Sequence, residues 1–375
     1  MYVQVAYEEI IMQKNDNQVK YLKLMEHLKQ EILMGKIKPG EQIPSENVLA
    51  ETMSLSRHTV RKAISMLVNE GYLYTEHGRG TYCLDRSRKR SDSRNIAVIT
   101  TYISEYIFPK VIQGIDSVLS SKGYSIMLKN TNNNTKNEAV CLEDVLQKNV
   151  EGLIIEPTKS ALYSENMKFY EALDNHRIPY IFIHGFYQQL DSKSHVILDD
   201  AKGMYSAVEY LAKLGHKKIA GIFKADDVQG VERHNGYAKA IADAGMAYNP
   251  DDVVWFHTED RDIKPYNMVK RLMEENRGFD AIACYNDEIA FRVYELLNSL
   301  GVKVPDDISI TGFDDSYFSA NCPVKITTVR HPKEKLGEEV AEILLQMVKQ
   351  NDYLTHPIQK TIVPELVIKE SCIKR

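Results

Sequence analysis

The sequence predicts an α/β protein in which a small basic helical head precedes a larger body of alternating strands and helices. From residue 95 onward, a short apolar run followed by an amphipathic segment recurs eight times. Charge separates the same two parts: residues 20–94 carry fourteen Lys and Arg against nine Asp and Glu, whereas residues 95–375 have a net charge of −8. A length of 375 residues allows two or three such domains.

Composition and spacing exclude several classes of protein. With 43% hydrophobic and 26% charged residues, the chain is close to the globular average, which argues against disordered, collagen-like and disulfide-scaffold classes. The five cysteines never have C-x-x-C spacing, so we expect buried thiols and no metal site. No apolar stretch of about 18 residues occurs, and acidic residues stand where a signal peptide would be basic or apolar. We expect a cytoplasmic protein without a cofactor or membrane contact.

Apolar spacing and stop signals in the head predict three helices followed by a hairpin. The helices are expected at 20–34, 46 to about 53, and 57 to about 70. Ser45 and Ser56 are the predicted N-caps of the second and third helices. Two β-rich runs, Tyr72–Thr75 and Thr81–Leu84, flank a glycine-rich tip. This order of elements is that of a winged helix-turn-helix.

The third helix has the residues expected of a DNA-recognition helix. In a winged helix-turn-helix, the first residues of this helix meet base edges in the major groove. Arg57 and Arg61 are one turn apart, so both can reach phosphates or guanine, and Thr59 can meet a phosphate or a thymine methyl group. A basic head on an acidic body also suits a polyanionic partner. The alternative is a solvated basic helix face.

Several motifs in the head resemble the DNA-binding domain of the GntR family of bacterial regulators. They are Ile43-Pro44-Ser45-Glu46, the run 55–64, Glu70-Gly71-Tyr72-Leu73 and Gly78-Arg79-Gly80-Thr81-Tyr82. The expected DNA-binding residues are Glu46, Ser56, Arg57, His58, Thr59, Arg61 and Lys62, with His77, Gly78 and Arg79 on the wing. We therefore assign 20–85 to this domain, 1–19 to an N-terminal extension and 86–94 to a basic linker.

The body alternates apolar runs with amphipathic segments. The predicted strands are 95–100, 124–129, 152–156, 180–184, 218–223, 253–257, 281–285 and 308–313. The predicted helices are 110–122, 138–149, 166–175, 201–214, 229–244, 263–275, 287–300 and 333–350. Such alternation indicates parallel sheets covered by helices. By itself it leaves open one eightfold barrel or two doubly wound lobes.

Motifs in the second half of the body resemble the effector-binding domain of the LacI/GalR family, which is itself similar to periplasmic sugar-binding proteins. They are Leu214-Gly215-His216-Lys217-Lys218, Arg233-x-x-Gly236-Tyr237, the run 283–290, the run 304–315 and Thr327-Thr328-Val329-Arg330-His331-Pro332. The resemblance implies two doubly wound lobes joined by three crossovers, with a ligand in the cleft. We expect lobe 1 at about 95–195 and 330–352, and lobe 2 at about 196–329 and 353–375.

A sugar site needs multidentate polar groups and aromatic faces. The resemblance implies that Arg233, Asn286, Asp314 and His331 contact hydroxyls. Residues after predicted strands of lobe 1 complete the site, because doubly wound sheets bind ligands at the carboxyl ends of strands. These residues are Tyr102, Glu105, Phe108, Glu156, Lys159 and His184.

Structural roles remain open for several candidates of this site. Related domains place other polar types at the positions of Glu105 and His184. For His331, the alternative to a ligand contact is that it orients a crossover. Asp314 can be a turn acid and Arg233 a surface ion-pair partner. For Trp255, the position within a strand pattern favours core packing over sugar stacking.

A GntR-type head joined to a LacI-type body resembles the arabinose-responsive repressors of low-GC Gram-positive bacteria. The stretches 100–109, 131–134, 156–162 and 223–231 carry this closer resemblance. It implies a homodimeric repressor that binds double-stranded operator DNA and is released by L-arabinose. The alternatives are a repressor or activator that answers to another monosaccharide, a sugar-modifying enzyme with a regulatory head, and a transport binding protein. No phosphate loop, G-x-S-x-G or H-E-x-x-H motif supports the enzyme.

Overall fold

The computed structural model describes residues 20–86, 93–104, 106–275, 277–350 and 353–375. The predicted extension at 1–19, residues 87–92 of the linker and Glu105 lie outside the described residues. Two compact units are present. The first comprises the described residues up to Arg94 with Leu142–Glu151 and Met167–Ile178, and the second comprises the described residues of Asn95–Cys141, Gly152–Asn166 and Pro179–Arg375. Within the described ranges, no helix has the length and apolar character needed to span a membrane.

The head has the predicted order of three helices and a hairpin. Its elements are α1 (20–33), α2 (Glu46–Thr52), α3 (Arg57–Asn69), β1 (Leu73–Glu76) and β2 (Gly80–Cys83). Both predicted N-caps are confirmed: Ser45 Oγ accepts from Val48 N at 3.4 Å, and Ser56 Oγ accepts from Thr59 N at 3.1 Å. These bonds satisfy amide groups that have no partner within the helix. Strands β1 and β2 pair antiparallel, so the winged helix-turn-helix is present.

The body contains two six-stranded sheets. The first has the order β13-β7-β6-β5-β3-β4 and is entirely parallel. Its strands are β3 (Asn95–Thr100), β4 (Ser125–Asn130), β5 (Gly152–Ile155), β6 (Tyr180–Ile183), β7 (His195–Leu198) and β13 (Gln359–Ile362). The second has the order β14-β12-β11-β10-β8-β9, with only β14 antiparallel. Its strands are β8 (Ile219–Lys224), β9 (Val253–Phe256), β10 (Ala281–Cys284), β11 (Ser309–Asp314), β12 (Thr327–Arg330) and β14 (Leu366–Val367).

The helices of the body alternate with these strands. They are α4 (Phe108–Ser121), α5 (Thr135–Gln147), α6 (Met167–Asn175), α7 (Asp200–Lys213), α8 (Val228–Asp243), α9 (Lys264–Glu274), α10 (Asp287–Ser299), α11 (Tyr317–Asn321) and α12 (Lys333–Lys349). The two doubly wound lobes implied by the resemblance are therefore present, and the eightfold barrel is excluded.

The predicted lobe boundaries need correction at two strands. The boundary at 195/196 cuts through β7 (His195–Leu198), which pairs with β6 in the first sheet. Strand β13 (Gln359–Ile362) was assigned to lobe 2 but pairs with β7 of lobe 1. The reason is that β13 is a mostly exposed edge strand with two polar residues at its start, so no apolar run marks it. The lobe boundaries lie in the segments that cross between the two sheets, and the apolar runs do not mark them.

The chain passes between the two sheets three times, always at the same edge. The passages follow Leu198 of β7, Arg330 of β12 and Ile362 of β13. Strands β7 and β13 lie at one edge of the first sheet, and β12 and β14 lie at one edge of the second. The opposite edges are β4 and β9. The covalent connection between the lobes is therefore confined to one side of the cleft.

Two glycines allow helices α4 and α12 to cross at close range. A Cβ on Gly114 would lie 2.1 Å from Glu334 O, and a Cβ on Gly337 would lie 2.2 Å from Val111 O. Each glycine faces the main chain of the other helix, so both positions need a residue without a Cβ. This contact fixes α12, which follows the second crossover, onto lobe 1.

The only tryptophan of the chain, Trp255, packs in lobe 2. Its ring centroid lies 5.9 Å from that of Phe223 and 4.8 Å from that of His234. It is partly buried against the apolar core and is not among the described residues that line the cleft cavity. The core-packing prediction for this residue agrees with its position in β9.

Candidate ligand cavity and DNA-binding surface

Carboxyl ends of strands from both sheets line a cavity in the cleft. Its volume is about 120 Å³. At about 10–15 Å³ for each water-sized position, this is room for roughly ten non-hydrogen atoms. Eight of the ten predicted effector residues line it: Tyr102, Phe108, Glu156, His184, Arg233, Asn286, Asp314 and His331. The fold therefore brings together residues that are far apart in sequence, as their positions at the carboxyl ends of strands predicted.

Arg233 stands at the centre of the lobe 2 wall. Its Nε donates to Asp200 Oδ1 at 2.8 Å, its Nη1 to Tyr285 O at 2.7 Å, and its Nη2 to Asp314 Oδ1 at 3.4 Å. The guanidinium also lies 3.7 Å from the centroid of the Phe313 ring. Burial would lower the pKa of Arg233, but Asp200 and Asp314 outweigh it and raise the pKa. The cation is held rigidly, and two of its five N–H groups remain for a ligand.

A second buried ion pair follows β8. Lys224 Nζ lies 3.0 Å from Asp227 Oδ2, and Tyr285 Oη donates to the same oxygen at 2.7 Å. Burial would lower the pKa of Lys224, but Asp227 and Asp226 outweigh it and raise the pKa. Asp227 also caps α8 through Gly230 N. Its carboxylate is therefore fixed by the helix, the lysine and the tyrosine together.

The lobe 1 wall combines a carboxylate with two histidines. Glu156 accepts from Thr101 N at 2.8 Å and Thr101 Oγ1 at 2.6 Å, and its other oxygen lies 3.1 Å from His184 Nδ1. A carboxylate accepts, so Nδ1 is the donor in this contact. The His331 ring lies 5.1 Å away, between centroids. Burial lowers the pKa of His331 well below its ordinary value, with His184 adding to the effect, so His331 is neutral at pH 7.

Three nitrogens of these histidines are buried without a hydrogen-bond partner in the described chain: His184 Nε2, His331 Nδ1 and His331 Nε2. Leaving such atoms unpaired costs about 1–3 kcal/mol each. Aromatic rings of Tyr102 and Phe108 lie beside them, with centroids 5.8 Å apart. Neutral polar atoms next to aromatic faces suit a ligand that presents both hydroxyl groups and C–H surfaces.

Two predicted residues need a different account. Lys159 does not line the cavity, because its Nζ reaches Asp226 Oδ2 at 3.8 Å and Glu259 Oε1. Asn286 lines the cavity, but its Oδ1 accepts from Ile289 N at 3.0 Å as the N-cap of α10. Its amide nitrogen is therefore the atom that could meet a ligand. Lys159 is thus removed from the set of direct ligand contacts.

Sequence reasoning missed several lining residues. Lys224 ends β8, Asp227 and Tyr285 follow β8 and β10, and Tyr106 follows β3. The strand-end rule that found Glu156 would have found them had it been applied to every strand. Arg261 is harder to find, because it comes after a short 3₁₀ helix that follows β9.

The predicted DNA-binding residues form an exposed surface on α3 and the wing, with one exception. Those exposed are Ser56, Arg57, His58, Arg61, Lys62, His77, Gly78 and Arg79, and Glu46 is partly exposed. Thr59 is 4% exposed, and its Oγ1 lies 2.8 Å from Ser56 Oγ. The Thr59 side chain therefore supports the cap of α3, and the expectation of a direct DNA contact from it does not fit this structure.

Two basic side chains of α3 already have partners in the head. Arg61 donates through Nη2 to Glu46 Oε2 at 2.9 Å and through Nε to both oxygens at 3.2 Å. Lys62 Nζ lies 3.9 Å from the centroid of the Tyr21 ring. The ion pair joins α2 to α3 and orients the guanidinium, while Lys62 is held against α1. Neither side chain is buried, so both stay accessible to solvent.

No group of three or more His, Cys, Asp or Glu residues able to hold a metal ion occurs in the described ranges. The residues that line the cavity offer polar side chains and aromatic faces to a ligand. The charged side chains of the cavity are held in ion pairs, and the three histidine nitrogens are available for hydrogen bonds with a ligand.

The head and the cavity together define a DNA-binding regulator with a ligand-receptor domain. Two family models agree: residues 20–83 match the bacterial regulatory proteins of the gntR family, and residues 208–372 match a periplasmic binding protein-like domain. A solved transcriptional regulator, the CelR–cellobiose complex, aligns with a TM-score of 0.65 and 21% identity over 88% of this chain and 100% of that chain. That likeness concerns the fold.

Relatives that match over almost the whole chain show which family of regulators it belongs to. The chain is 39% identical to the arabinose metabolism transcriptional repressor of Halalkalibacterium halodurans, over 94% of this chain and 96% of the relative. It is also 39% identical to that of Geobacillus stearothermophilus, over 94% and 97%. The chain belongs to this family of transcriptional repressors. It is a DNA-binding regulator, not an enzyme.

Proposed function

We propose that this repressor holds operator DNA through its head and releases it when L-arabinose fills the cleft cavity. The relatives are arabinose metabolism repressors at 39% identity, which supports the choice of sugar. A cavity with room for roughly ten non-hydrogen atoms is the size of a monosaccharide. The protein would act in the cytoplasm, where operator DNA is accessible.

The pairing of charges in the cavity is the observation that supports an uncharged sugar as the ligand. Three cationic side chains line it in the described part of the chain, and each already has a carboxylate: Lys224 with Asp227, Arg233 with Asp200, and Arg261 with Asp262. A phosphate or carboxylate ligand would compete with these acids. Hydroxyl groups would instead pair with the open nitrogens of His184 and His331.

We further propose that the repressor acts as a homodimer. Two heads would then contact two half-sites on one face of the operator. Sugar binding would close the lobes and favour a dimer geometry in which the heads no longer match the half-site spacing. A coupling free energy of about 1–3 kcal/mol is enough to change operator affinity by roughly 5- to 150-fold.

A fluorescence-anisotropy titration with labelled operator tests this function. L-Arabinose is expected to lower operator affinity at least about fivefold, whereas D-ribose 5-phosphate is expected to have no effect because the cavity cations are paired. His331→Ala should bind operator like the wild type but lose the response. If L-arabinose leaves operator binding unchanged, the assignment of the inducer is wrong. If the phosphorylated sugar releases DNA, the charge argument is wrong.

A further inference from the structure

Lys159 crosses the cleft beside the cavity. It follows β5 of lobe 1, and its side chain is 19% exposed. Nζ lies 3.8 Å from Asp226 Oδ2 and contacts Glu259 Oε1, and both of these acids belong to lobe 2. The main chain of Lys159 is left-handed, with φ of 48°, and its N–H donates to Asn133 Oδ1 at 2.9 Å. The loop is thus held in a conformation that delivers the ammonium group to the other lobe.

Two hydrogen bonds cross the cleft at the same place. Asn133 Nδ2 donates to Thr258 Oγ1 at 2.7 Å, and Val228 N donates to Ser160 Oγ at 2.9 Å. Asn133 is only 3% exposed, so water competes little for its amide. The loops after β4 and β5 are therefore joined to the segments after β8 and β9. We call Asn133, Lys159, Asp226, Thr258 and Glu259 the latch.

The latch lies on the side of the cleft away from the crossovers. The crossovers leave from β7 and β13 in the first sheet and from β12 and β14 in the second, whereas β4 and β9 form the opposite edges. When two lobes open about connections at one edge, the opposite edge separates most. Contacts at β4 and β9 must therefore break before the cleft can open.

The latch is also linked to the cavity. Asp226 has no exposed side-chain surface; its Oδ1 lies 3.3 Å from Lys224 Nζ, and its Oδ2 accepts from Thr258 N at 3.0 Å. Lys224 in turn pairs with Asp227, and both line the cavity. One carboxylate thus separates the latch lysine from the cavity wall. Asp226 keeps Lys224 as a partner when Lys159 is replaced, so its buried charge is not left unpaired.

We infer that Lys159 is a positioning residue that holds the far edge of the cleft shut over the bound sugar and so sets how slowly the inducer leaves. The inference rests on the proposed function for the identity of the sugar. Breaking one partner of a desolvated charge pair acts mainly on the rate of dissociation. Association is affected less, because the sugar enters those molecules in which the latch contacts are transiently broken.

The test compares Lys159→Met with the wild type, using the full chain and L-arabinose. Calorimetry and release of labelled L-arabinose into an excess of unlabelled sugar are expected to show about tenfold weaker binding, mostly through faster dissociation. Lys159→Arg should recover most of the wild-type rate. Lys136→Met, which changes an exposed lysine of lobe 1, is the matched control and should behave like the wild type.

Ionic strength separates a latch from a packing role. Higher salt should speed sugar release from the wild type but not from Lys159→Met, because only the former has the ion pair to screen. If Lys159→Met unfolds at the wild-type temperature and releases sugar at the wild-type rate, the latch is disproved.

A measurement without sugar keeps the latch separate from the proposed function. If the wild type does not bind L-arabinose, the proposed inducer is wrong, but the latch still predicts a larger radius of gyration for ligand-free Lys159→Met in small-angle X-ray scattering. Equal radii for Lys159→Met, the wild type and Lys136→Met would then overturn the latch. A larger radius for Lys159→Met alone would support it.

Discussion

Arg233 both neutralises buried carboxylates and presents hydrogen-bond donors to the cavity. Its guanidinium neutralises Asp200 and Asp314 and is also held by Tyr285 O. Three fixed donors leave its orientation no freedom, so the two remaining N–H groups point in set directions before any ligand arrives. Preorganised donors of this kind reduce the entropy lost on binding.

A buried acid at the start of α10, Asp287, predicts a pH dependence of stability. Asp287 accepts from Ser316 N at 2.6 Å and from Thr328 Oγ1 at 2.5 Å. Burial raises the pKa of the Asp287 carboxyl to about 7, and these hydrogen bonds oppose it only in part. The unfolded chain has a pKa of about 3.9 for Asp. The folded protein therefore binds the extra proton between about pH 4 and pH 7, and stability falls as pH rises through that range.

We expect the unfolding temperature of the wild type to fall relative to that of Asp287→Asn between pH 5 and pH 8, because asparagine does not titrate. Differential scanning calorimetry without sugar measures it. Any constant cost of the substitution cancels when the two proteins are compared across pH. A difference that stays the same over this range would show that the raised pKa is wrong.

The sequence predicts that a residue lines the cavity where its position at the end of a strand determines this. Glu156 and His184 end lobe 1 strands, and both line the cavity. Thr59 and Lys159 could not be placed in this way, because their roles depend on which neighbour each side chain reaches. Thr59 turns inward to the cap of α3, and Lys159 reaches across to the other lobe. Such contacts arise only from tertiary packing.

Among the elements, the proposed recognition helix α3 is held by contacts within the head. Its cap is closed by Ser56, and Arg61 is tied to Glu46 of α2 by three donor–acceptor contacts. The pair is exposed, so it contributes little to stability. Its effect is to hold the guanidinium on the surface where DNA would meet it.

Replacing Arg61 by alanine is expected to weaken operator binding by about 1–3 kcal/mol and to relax the sequence preference at one base pair. Anisotropy titrations with operator and mutated operators measure both. Lys23→Ala, which removes an exposed charge from α1, is the control and should lower affinity slightly and equally for all sequences. Wild-type affinity for Arg61→Ala would disprove the recognition-helix assignment.

The eight predicted body strands are present as β3 to β6 and β8 to β11, but the sequence does not predict β7, β12, β13 or β14, although β7 and β12 are mostly buried. Strands such as β5 and β10 are buried along their whole length and read as apolar runs. Strand β13 is exposed at three of four positions, and β12 contains two threonines that are buried through pairing and not through apolar character. Their strand state depends on neighbours that come from distant parts of the chain, so local pattern could not reveal it.

For the molecule as a whole, the separation of charge matches the division of tasks. A head and linker with a net charge of +5 can approach DNA, while the body with −8 is repelled by it. Net charge alone, −5, would have argued against a nucleic-acid partner. Sequence order and charge together therefore predicted the architecture better than composition did.

The proposed dimer makes a prediction about operator geometry. Two heads held in one assembly bind two half-sites far more tightly than one, provided that both can be reached together. Inserting half a helical turn, about 5 base pairs, between the half-sites places them on opposite faces and is expected to weaken binding by at least about 100-fold. Gel-shift titrations check this, and an insertion of a whole turn is the control. Equal affinity for both spacings would argue against bivalent binding.

The position of Trp255 gives the protein a built-in optical signal. As the sole indole, it accounts for the tryptophan emission of the whole chain, and it stands in β9 three residues before Thr258. Neighbouring aromatic rings and His234 surround it, and changes at that strand alter its surroundings. Tryptophan fluorescence therefore reports selectively on the lobe 2 edge of the cleft, without any dye or added label.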